Sequence, residues 1–335
     1  MTPLKNCINK KSTKSNPIWL MRQAGRYLPE FRKIRKINSN FIKLCLNANI
    51  CPKITLQPLN RFDLDAAIIF SDILMVPYGL QQSVKFKKNF GPQLGNLDLD
   101  DMETLYPNDF RKKLSPIYKS IKEVKNNILV KNKKDLIGFV GAPWTLLVYM
   151  INRVSPKKKL NKNFFKDKLL LKRLLNLLNK FLQIHIKEQI RNGATVIQIF
   201  DSWAGLIEKK DLEEFIYKPT LKLVNYTKSL NTPVICFPRN IKNYKNYCEI
   251  IKPDVINIDY NVDPVSIKKK IHIPIQGGLD PKILLTDKPS LKKETTRYLD
   301  IFKDHPYIFN LGHGVLPETE PSMVEYLINI VKDYK

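Results

Sequence analysis

The sequence has no apolar run long enough to span a membrane. Its longest uncharged stretch, Leu136 to Asn152, falls short of the roughly 18 residues a spanning helix needs, and Pro143 interrupts it. The amino-terminal MTPLKNCINKKSTKSNP carries positive charge with no apolar run behind it, which excludes a secretory signal and makes residues 1–16 an expected loose tail. Paired cysteines are missing: the five (Cys7, Cys45, Cys51, Cys236, Cys248) are odd in number and contain no CxxC, so they read as reduced thiols of a cytoplasmic protein rather than a disulfide framework. No HxxxH occurs either, so no metal centre is expected. The absence of GxGxxG after a strand, of GxxxxGK[ST], and of GxSxG removes the usual evidence for dinucleotide binding, for a phosphate-binding loop and for a nucleophile elbow. Acidic residues are outnumbered, 31 against 57 basic, for a net charge of +26. Such a charge usually points to nucleic acid. Here lysine and asparagine are spread along the whole length (KNKK at 131–134, KKKLNKNFFKDK at 157–168, KNYKNY at 242–247), so the charge marks no face and no nucleic-acid partner is expected.

What is present is a repeated alternation. Short apolar runs recur at DAAIIF (65–70), LIGFV (136–140), ATVIQIF (194–200), PVICF (233–237), DVINID (254–259), IPIQG (273–277) and YIFNLG (307–312). Continuous apolarity without period two fits strands covered on both faces, as in a parallel sheet. Helical stretches lie between them. The clearest is 166–191, where Leu170, Leu174, Leu177, Leu178, Phe181 and Leu182 recur at helical spacing; others are expected after Asp211, as N-cap, and from Pro321. Strand-then-helix order without a composition break predicts a single-domain (β/α)8 TIM-type barrel over 17–335 rather than two domains. Seven strands are countable; the eighth is either Ile18–Met21 or part of 83–90.

Polar and glycine residues cluster just after these strands: Ser71 and Asp72, GAPW, Asp201 and Ser202, Arg239 and Asn240, Gly277 and Gly278, and Gly312-His313-Gly314. Barrel enzymes place their active sites at such carboxyl ends. The segment MRQAGRYLPEFRKIR (21–35) adds Arg22, Arg26, Arg32 and Arg35 in a chain that otherwise prefers lysine. A guanidinium grips a carboxylate through two parallel hydrogen bonds, which lysine cannot do. The competing reading is a solvated basic helix start. Asp72 closes an apolar strand and needs a cation or a row of N–H donors, unless it is an N-cap or a structural ion pair. His313, between glycines, could serve as acid or base, anion donor or metal ligand. Tyr149 and Ser202 could be packing and turn residues. His185 suits a satisfied core position, while His272 and His305 read as loop residues.

Taken together, MRQAGRYLPEFR, LQPLNRFDLDAAIIFSDILMVP, LIGFVGAPWTLLVYM, QIFDSWAG, QGGLDP and NLGHG resemble, in order and from about residue 17 to 325, the uroporphyrinogen decarboxylase family. The resemblance implies a (β/α)8 barrel, a homodimer, and stepwise removal of four acetate carboxylates from uroporphyrinogen III to give coproporphyrinogen III, with no cofactor. Carried over position by position, it places substrate contacts on Arg22, Gln23, Ala24, Gly25 and Arg26, the pyrrole-facing aspartate on Asp72, and further contacts on Tyr149, Ser202 and His313. Arg35 matches another arginine near the pocket. Asp72 would stabilise the transition state, with Arg22, Tyr149 or a water as proton donor. Two stretches depart from the pattern: FPRN stands where relatives usually carry glycines, and Gly278 where asparagine is common, so no role passes to Arg239 or Gly278. A cobalamin-linked methyltransferase of the same superfamily is the main alternative, disfavoured because ICFPRN lacks an HxC zinc motif; a non-catalytic tetrapyrrole carrier is another.

Overall fold

The computed structural model describes residues 1–10, 15–87, 90–156, 160 and 164–334. Nine strands follow in chain order: β1 (Ala66–Ile68), β2 (Val84–Lys87), β3 (Gly91–Leu94), β4 (Asp135–Gly141), β5 (Val196–Asp201), β6 (Val234–Pro238), β7 (Val255–Ile258), β8 (Ile275–Gly277) and β9 (Tyr307–Ile308). Seven of them form one parallel sheet in the order β1-β4-β5-β6-β7-β8-β9, and these are the seven apolar runs of the sequence. Helices connect successive strands and cover the outer face, which is why both faces of each strand are apolar.

The eighth place belongs to residues 17–21. Ile18 pairs in parallel with Phe309 beyond β9, while on the other side the Asp65 N–H donates to the Ile18 carbonyl (2.8 Å) and the Ile18 N–H donates to Asp65 Oδ2 (2.8 Å). Hydrogen bonds this few, some of them to side chains, fall short of a regular strand, yet they tie the sheet's two edges together. The alternative stretch, 83–90, instead contributes β2, which pairs antiparallel with β3 in a hairpin apart from the main sheet.

Two expectations need correction. The first eight residues are not loose: Pro3–Ile8 is a helix, with Pro3 at its first turn where no N–H is needed. Leu4, Cys7 and Ile8 are buried against Trp19, Ala66, Ile137, Val196, Ile235, Val255 and Ile308, the inward residues at the amino ends of the strands. The sequence conceals this because a six-residue helix has no readable period. Residues 11–14 of the expected tail lie outside the described residues. Replacing fully buried Leu4 with Ala is expected to cost about 2 to 5 kcal/mol in urea denaturation. A loss below about 0.5 kcal/mol, the range of ordinary surface changes, would show this helix to be dispensable.

The second concerns Asp211, which sits inside a short 3-10 turn (Lys209–Asp211) and caps nothing; a π-helical turn, Glu213–Tyr217, intervenes before the α-helix Lys218–Ser229. Elsewhere helix signals hold. Lys168–Arg191 starts on Asp167, whose side chain accepts from the Leu170 N–H, and Pro321 opens the last helix, Pro321–Asp333. His185, buried on the long helix, meets the Tyr118 hydroxyl at 3.0 Å, and burial pushes its pKa down to about 3, as a satisfied core imidazole requires. No described helix is long and apolar enough to cross a membrane.

Above the apolar floor the barrel turns polar. Gln276 receives the Trp19 indole N–H (2.9 Å) and donates to Asn257 Oδ1 (2.5 Å) and Gln198 Oε1 (3.2 Å), all four side chains fully buried. Such a layer is stable only because its donors and acceptors meet each other. It separates the floor from the carboxyl ends of the strands.

Candidate active site

Six of the seven sheet strands are followed by a chemically useful residue at the mouth of the barrel. Asp72 follows β1, Tyr149 lies on the helix Pro143–Asn152 after β4, Ser202 follows β5, Arg239 β6, Asp259 β7, and His313 β9; the closing segment leads into Arg22–Arg26.

Asp72 is half-buried just beyond its strand. Its Oδ1 accepts the Leu74 N–H at 2.8 Å and its carbonyl accepts the Met75 N–H at 3.1 Å, so the side chain caps a turn and is fixed by it. Burial is the largest influence on its acidity and pushes the pKa up to about 6, against the opposing effects of that N–H and of the Arg22 charge. The Arg22 side chain is exposed on the mouth side of the closing segment. Burial among the surrounding walls lowers its pKa, Asp72 and Tyr149 act in the opposite sense, and Arg26 and Arg239 lower it further. No ion pair within 4 Å joins Arg22 to Asp72 among the described residues. The carboxylate and the guanidinium are therefore near neighbours with space between them.

The backbone around Arg22 is unusual. Arg22 has a left-handed φ of 62°, a conformation that costs free energy for a side-chain-bearing residue and persists only where neighbours enforce it. Gln23 does the enforcing: buried and uncharged, it accepts the Leu20 N–H (3.0 Å) and donates to the Ala66 carbonyl (3.1 Å). Its side chain is thereby turned into the fold and unavailable to a ligand. Gly25 is required by contact, since a Cβ there would lie 2.6 Å from the Arg22 carbonyl. Ala24 packs half-buried on the core, and Arg26 is exposed, with no side-chain hydrogen bond among the described residues. Arg35 points elsewhere. Its Nη1 donates to the Asn38 and Ser39 carbonyls and its guanidinium lies 5.4 Å from the centre of the Phe41 ring, closing the helix Pro29–Ile37, although its charge still reaches Arg26.

Tyr149 stands edge-on to Trp203 (5.8 Å between ring centres), and burial pushes its hydroxyl up to about 12, so it is a neutral donor beside Asp72 and Arg22. Ser202 is half-buried in a loop held by Thr145, which donates to Asp201 Oδ1 (2.6 Å) and accepts the Trp203 N–H (3.1 Å). Burial raises the Asp201 carboxyl to about 7. His313 is pushed down to about 3 by burial and by the charges of Arg22 and Arg239, and its Nδ1 accepts the Gly314 N–H at 2.7 Å. The neutral ring then carries its proton on Nε2, which makes it a donor.

With Asp259 paired to Arg239 and Asp201 bound by Thr145, Asp72 is left as the carboxylate facing guanidinium and neutral donors. The arrangement suits a ligand with many carboxylates around a centre rich in N–H donors. The sequence reading placed Arg239 directly after a strand but gave it no role; what it did not foresee is the pairing of Arg239 with Asp259.

The family model described as uroporphyrinogen decarboxylase (URO-D) matches residues 1–334. A uroporphyrinogen decarboxylase of Rickettsia bellii is 38% identical over 341 residues, covering 100% of this chain and 98% of that protein. One from Wolbachia sp. subsp. Drosophila simulans is 41% identical over 324 residues, covering 95% and 94%. Among solved structures, a methyltransferase from Methanosarcina mazei superposes with a TM-score of 0.79 over 100% of this chain and 99% of that one, at 15% identity, a likeness of fold alone. A full-length family match, together with relatives of this identity and coverage, establishes that the chain belongs to the uroporphyrinogen decarboxylase family.

Proposed function

We propose that this protein decarboxylates uroporphyrinogen III to coproporphyrinogen III, converting four acetate arms to methyl groups, and that it works in the cytoplasm as a homodimer. The observation that carries the reading is Asp72: a fixed carboxylate, half-buried, in no ion pair within 4 Å among the described residues, and within electrostatic reach of Arg22 and Tyr149.

The chemistry explains why such a group is needed. Losing CO2 from an acetate on a pyrrole leaves an electron pair that the neutral ring cannot accept. Protonation of the ring α-carbon next to the one bearing the arm makes the ring a cation with its electron deficiency shared by the arm-bearing carbon; the bond from the methylene to the carboxylate then breaks, its electrons form an exocyclic double bond that neutralises the ring, and CO2 departs. A proton added to the exocyclic methylene and one lost from the ring complete a methyl group. Asp72 accepts the pyrrole N–H groups and stabilises the cation, Arg22 and Arg26 hold carboxylates, and His313 and Ser202 donate to others. Proton delivery falls to the Arg22–Tyr149 side, directly or through water.

Anaerobic incubation with reduced uroporphyrinogen, followed by oxidation and chromatography by carboxylate number, should give a series running from eight to four carboxylates. Recovery of the octacarboxylate alone would refute the reading.

A pH dependence follows. Only ionised Asp72 can stabilise the cation, and its pKa of about 6 sets the boundary, so kcat/KM should fall on the acid side with an apparent pKa near 6. The limb should vanish in Asp72→Asn; its persistence there would assign it to another group. The stability effect has the opposite sign. A raised carboxyl pKa favours the folded state most below the unfolded-state value, and that contribution is lost as pH rises through about 6.

A further inference from the structure

Arg239 and Asp259 form the most enclosed ion pair among the described residues. Arg239 Nε donates to Asp259 Oδ2 at 3.0 Å, with the arginine side chain 22% exposed and the aspartate 0%. The geometry is end-on rather than forked. Asp259 Oδ1 is buried without a partner, and neither terminal nitrogen of Arg239 makes a hydrogen bond among the described residues. Removing two charges from water to make one hydrogen bond is a poor stabilising device, and apolar residues of the same size would serve the fold as well or better. The pair's place is also telling. Both residues stand at carboxyl ends of strands, and the backbone is pinned there: the Arg239 N–H donates to the Asp201 carbonyl (3.0 Å), and its carbonyl accepts the Gly205 N–H (3.0 Å).

In the eight-place ring formed by the seven strands and the closing segment, β6 is four places from that segment in either direction. Arg239 therefore rises from the wall opposite Arg22. The two still share one pocket, since the Arg239 charge depresses the pKa of both Arg22 and His313. With Nε committed to Asp259, the plane of the guanidinium is set and four terminal N–H donors remain, the number that suits a two-pronged grip on a carboxylate.

We propose that Arg239 is a further carboxylate grip, binding an arm on the rim of the macrocycle from the wall opposite Arg22, with Asp259 as the positioning residue that aims it. The proposal rests on the decarboxylase reading for the identity of the ligand. It gives the FPRN stretch, which departs from the family pattern, a specific purpose.

The test uses two variants, because Arg239→Met leaves Asp259 buried and alone, which destabilises the protein for a reason unrelated to the ligand. The double variant Arg239→Met/Asp259→Asn removes that penalty. Loss of a charge-assisted grip should raise KM about 10- to 100-fold in both variants while kcat changes by less than about threefold, and thermal stability should recover in the double variant without recovery of KM. Fluorescence titration with uroporphyrin, the oxidised octacarboxylate, should show the same weakening of Kd. Normal KM in the double variant, with active wild-type protein, would overturn the proposal and make the pair purely structural. Wild-type protein that fails to decarboxylate, yet binds uroporphyrin in an Arg239-dependent way, would overturn the decarboxylase reading and uphold the grip.

Discussion

Replacing Asp72 with Asn is expected to leave a folded protein whose kcat is lower by about 10² to 10³, equivalent to roughly 3 to 4 kcal/mol of lost transition-state stabilisation. Asn keeps the shape and keeps an oxygen to accept the Leu74 N–H at the 2.8 Å position, so the turn that Asp72 caps survives. What disappears is the charge. In the ground state the pyrrole N–H groups are neutral donors, which an amide oxygen can still accept in part; after ring protonation they belong to a cation, and only an anion gains strongly from that change. The loss should therefore fall on kcat. Stability should move little or upward, because burial raises the Asp72 pKa and an ionised carboxylate there opposes folding at neutral pH. The opposing structural account makes the reverse forecast, a lower melting temperature with kcat of the surviving protein intact. Thermal melting and single-turnover decarboxylation on one preparation separate the two. A destabilised but fully active Asp72→Asn would sink the proposed mechanism.

Much of the fold was legible in the sequence because a buried parallel strand must be apolar on both faces. Each of the seven expected runs overlaps one of the sheet's strands, and the polar residues follow just beyond them. The eighth place was ambiguous for a physical reason: residues 17–21 hold it by a single bridged pair and a few flanking hydrogen bonds, and so short a pairing needs no strand-like pattern. The juxtaposition of Arg22, Asp72, Tyr149 and His313 was legible where side-chain chemistry marked these residues. The site was not legible where direction decided the outcome. Gln23 and Arg35 belong to the same arginine-rich segment as Arg22, yet one is turned inward onto Leu20 and Ala66 and the other onto the end of its own helix. Arg239 was discounted because its loop departs from the family pattern. In the folded chain that departure places a third guanidinium within electrostatic reach of Arg22, across the mouth.

Gly314→Ala is expected to cost about 10² in kcat/KM, although it adds one methyl group and removes no charge. Gly314 does not have a positive φ, so alanine meets no backbone strain there. The conflict is with Arg22: a Cβ on Gly314 would lie 2.3 Å from Arg22 Cδ, 2.6 Å from Cγ and 2.9 Å from Nε, distances that real atoms do not keep. Arg22 has the more freedom to move, since its side chain makes no hydrogen bond among the described residues, whereas the Gly314 N–H is held by His313 Nδ1 at 2.7 Å. The guanidinium should swing out of register with Asp72, and a shift of about 1 Å in a positioned group costs on the order of 10² in rate. Arg22→Ala removes the same grip outright and should cost at least as much. The decisive variant is the pair. If Gly314→Ala acts only by displacing Arg22, then once Arg22 is alanine there is nothing left to displace, and Gly314→Ala/Arg22→Ala should be no slower than Arg22→Ala alone. If it acts by disturbing His313 or the last strand, the two losses should multiply. A multiplicative result in the double-mutant cycle would show that Arg22 is not the side chain whose position Gly314 protects.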